Sequence, residues 1–154
     1  NSLSDELLIR KLYDAAMAGV EIKMVIRGIF CALTDIKKFK KPLFAISIVD
    51  EYLEHARVMI FHNGGDEKVF ISSADWMVRN LDHRVEAAWP VLEPRLKEEI
   101  KQIINIQLRD NVKARLLTRD LTNEYVTDKK KKIRSQIEIY NHLYETAKKT
   151  VKTV

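Results

Sequence analysis

His55 and Arg57 stand two residues apart, directly before the run Val58-Met59-Ile60-Phe61. If that run is a strand, its period of two puts both side chains on one face. Downstream, Ser72-Ser73-Ala74-Asp75 closes a second apolar run. Its two hydroxyls and carboxylate can meet the same face at the same end of a hairpin. An imidazole that titrates near neutral pH can hold, protonate or attack a phosphate oxygen. A guanidinium offers such oxygens paired donors. The chemistry that these residue types suit is phosphoryl binding or transfer. A further candidate, Arg27, ends the alternating stretch Glu21 to Arg27 just before Gly28. Taken alone, a histidine such as His55 more often has a structural role, and an arginine such as Arg27 a surface or salt-bridge role.

The elements that must position these residues read as follows. Ser4-Asp5-Glu6 followed by Leu7, Leu8, Leu12, Ala15 and Ala16 predicts a capped amphipathic helix over about 4–18, with Gly19 as its C-cap. Ile22, Met24 and Ile26 alternate with Val25 and predict a buried strand ending at Arg27-Gly28. Segments 44–49 and 56–61 are further strands. Asn63-Gly64-Gly65-Asp66 is a tight turn, since glycine accepts positive φ at little cost. Lys68 to Ser73 is then the returning strand of a hairpin. Glu86 to Leu92 reads as another strand. Apolar residues at 96, 100, 103, 104 and 108 predict a helix over 94–108, and Ile133 to Ala147 a last helix over about 129–150. The expected fold is α/β, with one central mixed sheet flanked by helices. Trp76 and Trp89 are expected in the core, and His62, His83 and His142 as structural or exposed.

Bulk properties narrow the classes. The chain has 154 residues, 46% hydrophobic and 32% charged, enough for one domain with a core. No apolar run approaches the ~20 residues that cross a bilayer, and the polar start resembles no signal peptide. A start without Met leads to the expectation of a piece of a longer chain. The single cysteine, Cys31, rules out an internal disulfide and a multi-cysteine metal site, and a reducing compartment is the simpler reading. Net charge +5 favours anionic partners. Lys129-Lys130-Lys131-Lys132 is either a solvated helix front or a collar for a polyanion.

The pattern of motifs is more specific than any one of them. His55-x-Arg57, then Gly64-Gly65-Asp66, then Ser72-Ser73-Ala74-Asp75-Trp76 resembles the half-site of the phospholipase D-like superfamily, whose pattern is His-x-Lys, a downstream Asp and Gly-Ser-x-Asn. The departures are Arg for Lys at 57, a longer gap to Asp66, and Ser-Ser-Ala-Asp at 72–75. They are the pattern of the polyphosphate kinase branch. Tyr52-Leu53-Glu54, Met77-x-Arg79-Asn80-Leu81-Asp82-x-Arg84-x-Glu86, Asn1-Ser2-Leu3, Val25-Ile26-Arg27-Gly28, Leu92-x-Pro94-Arg95-Leu96 and Asp110-Asn111-x-Lys113-Ala114-Arg115 resemble that family as well, from residue 1 to about 145.

The resemblance implies that residues 1–154 are the second, C-terminal phospholipase D-like domain of a longer kinase, which moves phosphate between ATP and polyphosphate. It implies that His55 is the second active-site histidine, an acid/base group touching ATP phosphates, and that Arg27 contacts ATP. Arg57, Ser72 and Ser73 are expected beside them at the phosphate. The histidine that becomes phosphorylated, and the arginines associated with Mg2+, match no residue here and are expected upstream. The resemblance further implies a cytoplasmic enzyme, peripheral to the inner membrane, and a homo-oligomer when full length. Arg79, Arg84 and Arg115 either line a polyphosphate path or pair with Asp75, Asp82 or Glu86. Two other functions compete. A phospholipase D-like phosphodiesterase would need two His-x-Lys half-sites, and Arg57 argues against it. A non-catalytic polyanion-binding module would bind with strong salt dependence and no preference for ATP.

Overall fold

A computed structural model describes residues 1–151. Helix α1 (Glu6–Ala18) begins where the Asp5 carboxylate accepts the Leu8 N–H at 2.8 Å, satisfying a donor the helix cannot. It ends at Gly19, whose φ of 101° is the left-handed cap that glycine alone adopts freely. The chain then enters β1 (Lys23–Val25), which pairs in parallel with β2 (Phe44–Ile48). The alternation in β1 does what it predicts. Met24 and Ile26 pack on the cluster of Leu3, Ile9 and Ala32, while Val25 packs on Ile46, Ile48 and Ala114.

The hairpin is present. Strands β3 (Val58–Phe61) and β4 (Lys68–Ser72) are antiparallel, joined by a turn in which Asn63, Gly64 and Gly65 all have positive φ. The Ser72 N–H donates to Arg57 O at 2.9 Å, so the pairing runs on past the strand to Arg57. After a short helix α2 (Val78–Leu81), β5 (Ala88–Pro90) adds to the free side of β4. Helix α3 (Pro94–Leu108) occupies the predicted range, with Glu93 as its cap and Pro94 in its first turn.

The single central sheet is corrected to two three-stranded sheets, ordered β1-β2-β6 and β3-β4-β5. The reason is β6 (Ala114–Leu116), which the sequence reading did not assign as a strand. It pairs antiparallel with β2, so β2 is filled on both sides and offers the hairpin no edge. The first sheet is therefore mixed and the second antiparallel. Helix α4 (Ser135–Val151) starts later than 129. The lysine run Lys129–Lys132 lies in the loop before it, because Asn111 holds that loop: its side chain donates to Lys131 O at 3.1 Å and accepts from the Ile133 N–H at 2.8 Å. Trp76 packs against the Leu3 cluster as expected. Trp89 does not enter the core; it is 49% exposed on β5, an edge strand whose three residues are all exposed.

The opening segment joins the two halves. Leu3, 1% exposed, bridges both Phe30 and Trp76, and Ser4 and Asp5 donate their N–H groups to Trp76 O. Asn1 links the Arg27-Gly28 exit from β1 to Asp75, just past β4: its carbonyl accepts the Gly28 N–H at 2.8 Å and its side-chain amide donates to Asp75 at 3.1 Å. Among the described residues no helix is long and apolar enough to cross a membrane.

Candidate functional site

Two segments deliver three side chains to one place. Arg27 leaves the end of β1, and His55 and Arg57 lie on the extended approach to β3. Arg27 Nε donates to Glu54 O at 3.0 Å, and its Nη2 lies 3.1 Å from His55 Nδ1. On the other side of the ring, Arg57 Nη2 lies 2.7 Å from His55 Nε2. The imidazole is thus held edge-on between two guanidinium groups. Arg27 and His55, 28 residues apart in sequence, thus meet side chain to side chain.

Asp75 anchors this arrangement from below. Its carboxylate accepts from Arg57 Nε at 3.1 Å and from the Asn1 side-chain amide at 3.1 Å. Burial alone would raise the Asp75 pKa, but the hydrogen bonds from Arg57 and Asn1 and the Arg57 charge hold it below the ordinary carboxylate value. With its side chain only 7% exposed, Asp75 fixes the Arg57 fork while His55 stays open to solvent.

The serines are placed differently from the expectation. Ser72 Oγ donates to Ala87 O at 3.2 Å and accepts the Ala74 N–H at 3.0 Å, forming a local turn. Ser73 Oγ donates to Glu86 and accepts the Ala87 N–H at 3.0 Å. Both hydroxyls are thereby committed to the segment before β5, and it is the Asp75 carboxylate that meets Arg57. Glu86 also accepts from Asn80 at 2.6 Å, and these hydrogen bonds from Ser73 and Asn80 lower its pKa.

Other candidate cations divide. Arg115 is tied down, donating to Asn123 O and Tyr125 Oη at 2.7 Å each with its guanidinium 3.8 Å above the Tyr125 ring. Arg79 and Arg84 are exposed. His62 and His83 are exposed and His142 is half-buried on α4, none of them in the cation cluster. The sequence reading gave Glu54 no role, although its backbone carbonyl orients Arg27. No local pattern marks a carbonyl acceptor.

The site has a surplus of donors. A guanidinium carries five N–H groups and no acceptor, and a neutral imidazole accepts at one nitrogen only. Whichever neutral tautomer His55 adopts, its single N–H faces a guanidinium donor. Acceptor oxygens supplied from outside would satisfy Arg27, Arg57 and that N–H together. A phosphate group carries such oxygens in fork geometry.

Comparison with known proteins agrees with this chemistry. The polyphosphate kinase C-terminal domain 2 family matches residues 1–136. The chain is 49% identical over 151 residues to a polyphosphate kinase of Vibrio parahaemolyticus, covering 97% of this chain and 22% of that protein. It is 46% identical over 144 residues to that of Escherichia coli K12, covering 93% of this chain and 21% of the relative. The crystal structure of polyphosphate kinase from Porphyromonas gingivalis superposes with a TM-score of 0.93 at 47% identity, over 97% of this chain and 23% of that one. The chain therefore spans under a quarter of the relatives it matches. With its donor-rich site, its fold and these similarities in register, the chain belongs to the polyphosphate kinase family, within that family's C-terminal domain 2.

Proposed function

We propose that this chain is the second phospholipase D-like domain of a polyphosphate kinase, and that it grips the terminal phosphate of ATP as that phosphate passes to and from polyphosphate. The observation that carries the reading is His55 held between Arg27 and Arg57, at 3.1 and 2.7 Å from its two ring nitrogens. In phosphoryl transfer the protein mainly positions groups and neutralises charge. Arg27 and Arg57 offset the charge on the equatorial oxygens. His55 donates a hydrogen bond or a proton to the oxygen left on ADP as the bond to the terminal phosphorus breaks. In the reverse direction it takes that proton back. The receiving nucleophile is a histidine upstream of Asn1, which hands the group to the end of the polyphosphate chain. Ser72 and Ser73 border the site and reach a phosphate only by exchanging their present partners.

The reaction class carries an expectation of Mg2+, held mainly by residues outside this chain. Among the described residues, no group of three or more His, Cys, Asp or Glu could hold a metal ion. Family membership favours the kinase over a phosphodiesterase or a passive polyanion binder. A cytoplasmic location and a homo-oligomeric full-length enzyme belong to the same reading.

The test uses the full-length enzyme. His55→Ala should lower turnover by about 10²-fold or more with the melting temperature nearly unchanged. His62→Ala, at an exposed position on the turn after β3, should leave both within error. A loss for His55→Ala that merely tracks the unfolded fraction would defeat the proposal.

A further inference from the structure

The loop that carries His55 is held from behind by the start of α4. Gln136, 8% exposed, makes a two-way clamp on the backbone of Tyr52: its Oε1 accepts the Tyr52 N–H at 2.9 Å, and its Nε2 donates to Tyr52 O at 2.8 Å. The same Nε2 lies 3.1 Å from Glu54 Oε2. From α3, Gln107 donates to the other Glu54 oxygen at 2.9 Å. Both carboxylate oxygens of Glu54 are thus held one residue before His55, and the Glu54 backbone carbonyl orients Arg27. At the front of the loop, Asp50 receives a two-pronged contact from Arg134, at 2.8 Å to each oxygen. The Asp50 side chain is 2% exposed. None of these groups lies among the phosphate-facing cations.

We propose that Gln136, acting through Tyr52 and Glu54, is a positioning residue that fixes where the His55 ring stands between Arg27 and Arg57. The inference rests on the functional reading above for its effect on catalysis, but not for its effect on geometry. A side-chain amide that pairs with both the N–H and the C=O of one residue fixes that peptide's place and orientation together, as a neighbouring strand would. The loop has no such neighbour, since 50–56 lies outside both sheets. Positioning errors of about 1 Å cost about 10²-fold in rate. The interaction therefore belongs to catalysis even though Gln136 never meets the substrate.

The experiment uses the full-length enzyme with Gln136→Ala and the isosteric Gln136→Glu. Gln136→Glu keeps the acceptor for the Tyr52 N–H but faces the Glu54 carboxylate with a like charge. Three quantities are measured on the same samples: turnover, melting temperature, and the rate at which diethyl pyrocarbonate modifies His55 relative to His62, read by mass spectrometry. The expected result is a roughly 10- to 100-fold fall in kcat, a several-fold rise in His55 modification against His62, and a smaller change in KM for ATP. Adding Glu54→Gln to Gln136→Glu restores a donor–acceptor pair and should recover part of kcat, which a general loss of packing would not allow. Should Gln136→Ala fold poorly, the Gln136→Glu and Gln136→Glu/Glu54→Gln pair decides the matter at a temperature well below melting. Unchanged His55 modification and unchanged kcat in Gln136→Glu, in an enzyme that His55→Ala inactivates, would overturn the positioning role. Full activity in His55→Ala would overturn the functional reading instead, while a raised His55 modification rate would still uphold the positioning.

Discussion

The contacts of Arg27 and Arg57 assign them different work. Arg57 is braced by the Asp75 carboxylate, which occupies part of its fork. Among the described residues, the hydrogen bonds of Arg27 run to the Glu54 carbonyl and the His55 ring, with no carboxylate among them. Arg27→Lys in the full-length enzyme should keep the charge and lose the paired geometry. We expect ATP use between that of the wild type and Arg27→Ala, with steady-state kinetics as the check. Asp75 carries a different prediction. Its folded pKa is depressed, so the stability it contributes is fully present above the unfolded carboxylate value of about 4 and is lost as pH falls through the lower folded value. Asp75→Asn should cost about 2–3 kcal/mol at neutral pH, the scale of a hydrogen bond to a charged group. The gap between variant and wild type should close below about pH 4. Melting temperatures across pH test this, and a gap that stays constant down to pH 3 would contradict it.

Among the elements, the start of α4 matters most, because it holds the loop of His55. Asp110 fixes it. One of its carboxylate oxygens accepts the N–H groups of Val112, Lys113 and Ala114 at 2.7–3.0 Å, and the other accepts the Ser135 N–H at 2.7 Å. With 1% exposure, burial works against the charge, but these backbone donors hold the Asp110 pKa below its ordinary value. A single carboxylate thus closes the turn from α3 into β6 and caps α4. Asp110→Asn should destabilise by about 2–4 kcal/mol, as seen in denaturant unfolding. It should also lower turnover in the folded fraction through Gln136. This element shows where sequence reading works and where it stops. Helices α1 and α3 and the hairpin carry their own caps, periods and turn glycines, so local chemistry announces them. The lysine run has ordinary helix propensity, and nothing nearby in sequence reveals that Asn111 ties its loop in place. Strand β6 is three residues long, too short for a period to show, and exists because β2 has an open side. Arg27 and His55 were each legible as candidates because each flanks a recognisable strand. The Gln136 clamp was not, since it joins side chain to backbone across 84 residues.

For the whole molecule, the proposed function requires that some histidine take the phosphoryl group. The chain has four. A ring nitrogen attacks phosphorus with a free lone pair, and in His55 both nitrogens face guanidinium donors. That suits a group that holds an oxygen or passes a proton, and not one that forms the N–P bond. His62 and His83 are exposed and His142 lies on α4, all outside the cation cluster that would bring a terminal phosphate to them. The isolated 154-residue chain, incubated with γ-labelled ATP and Mg2+, should therefore acquire no acid-labile, base-stable label and make no polyphosphate. The full-length enzyme should acquire such label, and peptide mapping should place it upstream of Asn1. In the full-length His55→Ala variant the label should appear at the same upstream position, but more slowly, because the acceptor is intact and only the grip on ATP is weakened. Label on any histidine of the isolated chain would overturn the division of labour. Complete loss of the upstream label in His55→Ala, however long the incubation, would make His55 indispensable to the first transfer and not merely an accelerator of it.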